Sequence, residues 1–515
     1  TSVLVLALGY FAYDKFVLSA DRDAALVEAT TQAVTEQTTQ ESQTEEETDK
    51  SIAVLPFADM SPDKDQEYFS DGLSEELLNL LAKVPELRVA ARTSSFSLKG
   101  KDLQISEVGE ILKVAHVLEG SVRTSGNRVR VTAQLIQSDD GYHLWSETYD
   151  RTLDDIFAIQ DEIASHVVEQ LKVTLLGTAP SVQETDPQAY ALALQARHLG
   201  RQRTPDALEK SNELYQQALK IAPDLTTAWE GLAGNYAEQS GNGLRPIEEG
   251  YRLARRAANR ALTIDPNYAP AYASLANIAM IYDNDPAGAA RDLEKALELE
   301  PGNLDIIREA ANLVEILGRL DEAIVLLEHV AALDPVNSEV HANLGRSYRV
   351  AGRWDDAIAS YHTSLALSPG RLGSNNGIGE SLLLKGEPEA AMAAYALEKD
   401  EEWRVKGTAL ALYKLGRQSE FEAAFAELRD RWGEQWPSEV AQVYAFIGDA
   451  DAAFEWLDKA VVQNEDGLYQ QYYQPLNSRL HDDPRWTTFR EKTVGSEEQL
   501  ATITFSVKLP EEARQ

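Results

Sequence analysis

The chain has 515 residues, 43% of them hydrophobic and 26% charged, enough to bury cores in roughly three domains. Lys and Arg number 48 against 84 Asp and Glu, a formal net charge of −36. That balance excludes a nucleic-acid surface built on clustered cations and a basic patch for anionic lipid. No Cys is present, which rules out thiol nucleophiles, disulfides, iron–sulfur clusters and thiolate zinc sites.

The first residue is Thr1, so a longer protein is expected to continue upstream. Residues 1–18 read TSVLVLALGYFAYDKFVL, with no charge from Val3 to Tyr13 and with Tyr10, Phe11 and Tyr13 at the end of the run. An apolar run ending in a belt of aromatics predicts the last part of a membrane-spanning helix, truncated at its start. Lys15 and Arg22 are the only early cations. Cytoplasmic flanks are rich in Lys and Arg, so this scarcity predicts that residues 51–515 lie on the periplasmic side of a bacterial inner membrane. Residues 19–50 are acidic and rich in Thr, Gln and Glu, with too few large apolar side chains to offset ordering entropy, and read as a spacer.

A small α+β unit is predicted over 51–180. Ser51–Phe57 is a short apolar run closed by a proline, the pattern of a buried strand. Ser70-Asp71 offers a cap for a helix with Leu73, Leu77, Leu80, Leu81 and Val84 on one face. Leu87–Thr93 reads as a second strand, and Ser106 as the cap of a short helix with Val108, Ile111 and Leu112 inward. The period then changes to two: His116–Thr124 and Arg128–Ile136 flank Ser125-Gly126-Asn127, a hairpin signal, and a further turn leads into Tyr142–Tyr149. An amphipathic helix from about Leu153 to Leu175 closes the unit, with Ile156, Ile159, Ile163, Val167 and Leu171 on its stripe. Asp71, Glu75 and Glu76 near a helix start are read as complements to the helix dipole. His116, His143 and His166 are isolated, without metal-ligand spacing.

The strand IAVLPF, then EYFSDGLSEEL, LEGSVR and LWSETYDR, in that order within Ser51–Leu176, resemble the TolB-like amino-terminal domain. The resemblance implies a non-catalytic periplasmic interaction module, set between a membrane helix and tetratricopeptide repeats. It also implies that the region upstream varies among relatives: a winged-helix DNA-binding domain, a class III adenylate cyclase domain, or further membrane helices.

From Asp186 onward strand signals vanish. Pro223, Pro266, Pro301, Pro335 and Pro369 each follow an Ala/Leu-rich helix, at spacings of 43, 35, 34 and 34 residues. A period near 34 predicts an all-α tetratricopeptide solenoid over 187–495, of about eight repeats with a C-terminal cap. The extra length before Pro266 falls in GNGLRP, a loop insertion. Gly373, Gly377 and Gly379 read as close helix packing, since a phosphate loop needs a preceding strand and a following Lys. The tail, residues 496–515, is polar except for Ile503–Leu509.

The fold expected is therefore multidomain: truncated membrane helix, spacer, α+β unit, helical solenoid and tail. No P-loop, nucleophile elbow, dinucleotide fingerprint or metal set is present in the sequence, so neither an enzyme nor a bound cofactor is expected. The expected partner is a protein or peptide in the groove of the repeats, with no nucleic acid bound by these residues. Groove positions at one-turn intervals on first helices give Asn277, Arg308, Asn312, Arg346, Arg349 and Asn376, of which Arg308 and Arg346 are expected to read a carboxylate. Pairing of these arginines with Glu309, Glu315 or Asp356 would reduce them to internal ion pairs. The leading functional expectation is a membrane-anchored interaction scaffold; the alternative is the sensory half of a transmembrane signalling protein whose output domain lies before Thr1.

Overall fold

A computed structural model describes residues 50–84, 87–171, 185–463, 465 and 468–509. The expected membrane helix over 1–18, nearly all of the spacer over 19–50, the continuation of the closing helix toward Leu175, and residues 510–515 lie outside the described residues.

A mixed six-stranded sheet occupies the first part, in the spatial order Arg88–Val89, Ser51–Val54, His116–Ser125, Arg128–Gln137, His143–Thr152, with Ala58–Asp59 also paired to His116–Ser125. The strands are β1 Ser51–Val54, β2 Ala58–Asp59, β3 Arg88–Val89, β4 His116–Ser125, β5 Arg128–Gln137 and β6 His143–Thr152. β1 runs parallel to both β3 and β4, and β4, β5 and β6 form an antiparallel meander. Pro56 breaks the first strand, because it cannot donate to the ladder, and the chain rejoins β4 as β2, a strand the sequence did not predict. The β4–β5 hairpin turns on Gly126 and Asn127, with Gly126 at φ 59°, as a glycine-first hairpin turn requires. Val129, Val131, Ala133 and Leu135 are all buried on one face, as their alternation predicts. That face, with Ile52, Val54 and Leu118, packs on the helices Glu67–Ala82 and Ile156–Gln170. Ala53, Val117, Val108 and Leu112 form a smaller core on the opposite face.

Four local expectations are corrected. The first helix begins at Glu67, so Ser70 and Asp71 lie buried within it instead of capping it. The short helix Ile105–Leu112 is capped by Gln104, which forms a capping box with Glu107, instead of by Ser106. Its Ile111 is exposed. The second strand is only Arg88–Val89, since a helix starts at Arg92.

From Pro187 the chain is helical, in eight successive pairs among the described residues, from Pro187–Gly200 with Pro205–Ile221 to Pro437–Ile447 with Ala450–Gln463. Glycines on the first helices explain the packing. A Cβ at Gly345 or Gly377 would lie 2.9 or 2.3 Å from the Tyr361 ring, and one at Gly379 or Gly407 would lie 2.4 or 2.2 Å from Tyr395. Each tyrosine, carried on a second helix, is thus clamped between the first helices of its own pair and the next. The expected role of Gly377 and Gly379 in close packing holds. Helix starts are fixed by side chains that accept from free amides: Asp186 before Pro187, Thr204 before Pro205, and Asn303 and Asn337 in later repeats. No helix among the described residues is long and apolar enough to cross a membrane.

Candidate interaction groove

The six sequence-predicted groove residues lie on the first helices of four consecutive pairs: Asn277 on Ala269–Ile278, Arg308 and Asn312 on Leu304–Ile316, Arg346 and Arg349 on Ser338–Val350, and Asn376 on Ser374–Lys385. First helices of neighbouring pairs touch through most of the array, which sets them on the inner side of its curve.

There the six residues belong to polar ladders that run from repeat to repeat. Asn277 and Asn312 both donate to Glu309 Oε2, at 3.2 and 3.3 Å. Arg346 donates to Glu315 Oε1 at 2.7 Å and to Asn312 Oδ1 at 3.2 Å, and Ser347 donates to the second oxygen of Glu315. Arg308 lies 3.2 Å from Glu309 and 3.3 Å from Glu339. Arg349 lies 2.7 Å from Glu380, which also accepts from Asn376 and pairs with Lys406 at 3.2 Å. Lys406 in turn reaches Glu439 and Gln442.

These contacts correct one expectation. The sequence expectation gives Arg308 and Arg346 a partner's carboxylate, but each already holds an internal one, Glu309 with Glu339 for Arg308 and Glu315 for Arg346. Burial pulls the Arg308 guanidinium down, and Glu309 and Glu339 outweigh it, holding the group above its ordinary value. Arg349 behaves alike, with burial opposed by Glu380. Leaving a buried Glu without its cation would cost more than any exposed contact returns, so these arginines are structural first.

The chain also fills part of the groove itself. The Tyr473 hydroxyl donates to the Ile316 carbonyl, and Arg349 donates to Gln474 at 2.9 Å. Tyr469 is buried in the same apolar cluster as Leu344, Tyr361 and Ile378. The C-terminal cap therefore seats its helix Leu468–Tyr473 against the middle repeats. Two further long-range contacts reach the middle repeats: Ser94 of the sheet unit donates to Asp334, and Arg203 lies 3.9 Å from Glu339.

The sheet unit and the solenoid meet at a charged junction that dipole reasoning missed. Glu75 is nearly buried on Glu67–Ala82 and accepts from Arg92 at 2.9 Å, from Arg197 at 3.2 Å and from both ends of the Arg201 fork. Arg197 also donates to Glu76 at 2.8 Å. Arg197 lies on the first solenoid helix, Pro187–Gly200, and Arg201 is its C-cap residue. Gly72, one turn earlier, leaves room for Leu194: a Cβ there would lie 2.6 Å from its methyl carbons. Among the described residues no group of three or more metal-ligating side chains is arranged to hold an ion.

Comparison with known proteins agrees with the repeat architecture. Residues 280–346 and 338–371 match the tetratricopeptide repeat family. Residues 48–166, read above as TolB-like, match the family described as HilA/YgeH-like transcriptional regulator, second domain. A protein of Rhizobium meliloti named "Putative adenylate cyclase 3" is 42% identical over 187 residues, covering 36% of this chain and 32% of that one. Cellulose synthase operon protein C of Pseudomonas fluorescens is 34% identical over 141 residues, covering 26% of this chain and 10% of that one. The chain thus spans about a third and a tenth of the length of these two relatives. A solved structure of Pseudomonas aeruginosa pilF is 20% identical, covers 41% of this chain and 96% of that one, and superposes with a TM-score of 0.32.

Proposed function

We propose that this chain is a non-catalytic protein-interaction scaffold whose solenoid engages a protein or peptide partner. The observation that carries this reading is the stack of helix pairs keyed by tyrosine into glycine, together with the tetratricopeptide match over its middle. Such arrays expose long curved surfaces and bind through them. A second reading has its own support. The match of residues 48–166 to a regulator domain, and the identity to a cyclase-named protein, favour the sensory part of a signalling protein whose output lies elsewhere. The two are compatible, since a sensor of this build works by binding.

The proposal includes anchoring in a bacterial inner membrane, with residues 51–515 in the periplasm and the sheet unit as a TolB-like module. Its support is the uncharged run Val3–Tyr13, the cation-poor flank after it, and the ordered motifs quoted above. Reporter fusions after Lys50 test the topology, and activity of a cytoplasm-only reporter there removes it. For the scaffold reading, a photo-crosslinking residue at Asp305, exposed on an inner helix, should capture another protein in living cells. Absence of any crosslinked protein from this and other exposed inner-helix positions overturns the scaffold reading, and conversion of ATP to cyclic AMP by the purified chain overturns the non-catalytic one.

A further inference from the structure

The apolar segment Ile503–Leu509 has a defined seat. After Gly495, at φ 113°, and the short helix Glu497–Ala501, residues 503–509 run along the middle of the solenoid without forming a helix or joining a sheet. Its side chains alternate: Phe505 and Leu509 are buried and Ile503 and Val507 partly so, while Thr504, Ser506 and Lys508 are exposed. The four apolar residues pack into the same cluster as Leu317, Leu320, Ile324 and Leu327. Arg319, in the turn between Leu304–Ile316 and Leu320–Leu333, donates Nη1 to the Phe505 carbonyl at 2.6 Å, while Glu322 holds the rest of its guanidinium in place. This is how an extended peptide is recognised: alternate side chains in apolar seats and a main-chain carbonyl read by a fixed donor.

We propose that the face around Arg319 is a peptide-recognition site for an extended segment of a partner protein, apolar at four alternate positions and polar between them, and that the chain's own tail is its resident ligand. The inference rests on the scaffold reading and names a site for it. Displacement is feasible because Arg319 and side-chain packing hold the tail in place of a backbone ladder, and because the connecting helix Glu497–Ala501 has no fully buried side chain, Leu500 alone packing partly on the cluster. A tethered ligand acts at an effective concentration in the millimolar range, so the tail screens out weak or mismatched segments.

The test uses the full chain and a fluorescent peptide with the sequence of residues 500–509. In the variant Phe505→Asp/Leu509→Asp, whose own tail cannot seat, the peptide should bind at least tenfold more tightly than to the unaltered chain. Adding Arg319→Ala should weaken that binding about tenfold. A peptide with the apolar residues moved by one position should not bind. Absence of peptide binding to the variant, equal binding to both chains, or equal binding of the shifted peptide overturns the proposal. Should the variant lose its helical signal, the unaltered chain is treated with millimolar peptide carrying a photo-crosslinker at the Phe505 position. Crosslinks within residues 317–327 support the site, and their absence overturns it. Dimerisation of the unaltered chain by exchange of tails would assign the seat to a second copy and overturn the partner assignment. Partner crosslinks from Asp305 that persist when the peptide fails leave the scaffold reading standing.

Discussion

Substituting Glu75→Gln tests whether the sheet unit and the solenoid act as one body. The change keeps the side-chain volume and removes one charge from a cluster in which Glu75 and Glu76 face Arg92, Arg197 and Arg201. Breaking a buried ion pair by removing one partner costs roughly 3–5 kcal/mol. The Arg92, Arg197 and Arg201 side chains are 29%, 19% and 38% exposed, so water takes up part of their orphaned charge. The expected loss is therefore at the low end, about 3 kcal/mol at pH 7. Its pH dependence has a definite sign. Burial pushes the Glu75 carboxyl up, and Arg197 and Arg201 outweigh it, so the folded-state value lies far below the ordinary 4.5. A depressed carboxyl contributes stability that is present above the unfolded value and lost as pH falls below it. The gap between the unaltered chain and Glu75→Gln should thus narrow by about 1.4 kcal/mol per pH unit below 4.5. Urea unfolding followed by far-UV circular dichroism, with hydrogen exchange over Glu67–Ala82 and Pro187–Gly200, gives the readout. A gap under about 0.5 kcal/mol at pH 7, or one that does not change between pH 7 and pH 3, refutes the latch.

Three further perturbations have stated directions. Arg346→Ala leaves Glu315, 5% exposed, with Ser347 as its remaining partner, and should lower stability by roughly 3 kcal/mol in thermal or urea unfolding. Gly377→Ala gains about 1 kcal/mol of helix propensity but drives a methyl to 2.3 Å from the Tyr361 ring, which Gly345 confines on the other side. Overpacking costs about 1–3 kcal/mol, so a net loss of melting temperature is expected, and a gain would show that Tyr361 has room to move. Glu402 is buried near Glu439, Lys406, Asp400 and Glu465, and burial followed by Glu439 pushes its carboxyl up to about 8. Its folded form therefore keeps a proton that the unfolded chain loses above 4.5. Stability falls as pH rises from 4.5 toward 8, and Glu402→Gln should flatten that slope. Equal slopes in the two chains between pH 5 and pH 8 would count against it.

What the sequence revealed and what it concealed divide along the range of the interactions. Period-two alternation in Arg128–Ile136 and the 34-residue proline spacing are local signals backed by burial, and both led to the observed elements. Helix starts were read less well, because Ser70 and Ser106 are good capping residues in isolation while Gln104 gains its role from reciprocal bonds with Glu107. Glu75 looked like a dipole complement because its three arginines lie 17, 122 and 126 residues away. No local pattern encodes that meeting. The tail segment was visible as an apolar run, but its seat required knowing that the solenoid brings residue 505 to residue 319.

The groove arginines, by contrast, carried a readable signal. Arg308 to Glu339, Arg346 to Glu315 and Arg349 to Glu380 are all separated by 31 residues, one repeat of 34 less about one helical turn. A helix presents the same face every three to four residues, and neighbouring first helices stand side by side. A cation on one and an acid one repeat away, offset by a turn, must therefore face each other across the stack. In a chain with 48 cations against 84 acids, an inward-facing arginine meets a carboxylate of its own protein before any partner arrives. Cations placed at this offset tie repeat to repeat, and an Arg or Lys free to read a partner must be sought where that offset is broken. Arg319 meets this condition. It lies in a turn between the two helices of one pair, its carboxylate partner Glu322 is three residues away, and one guanidinium nitrogen remains for the carbonyl of Phe505.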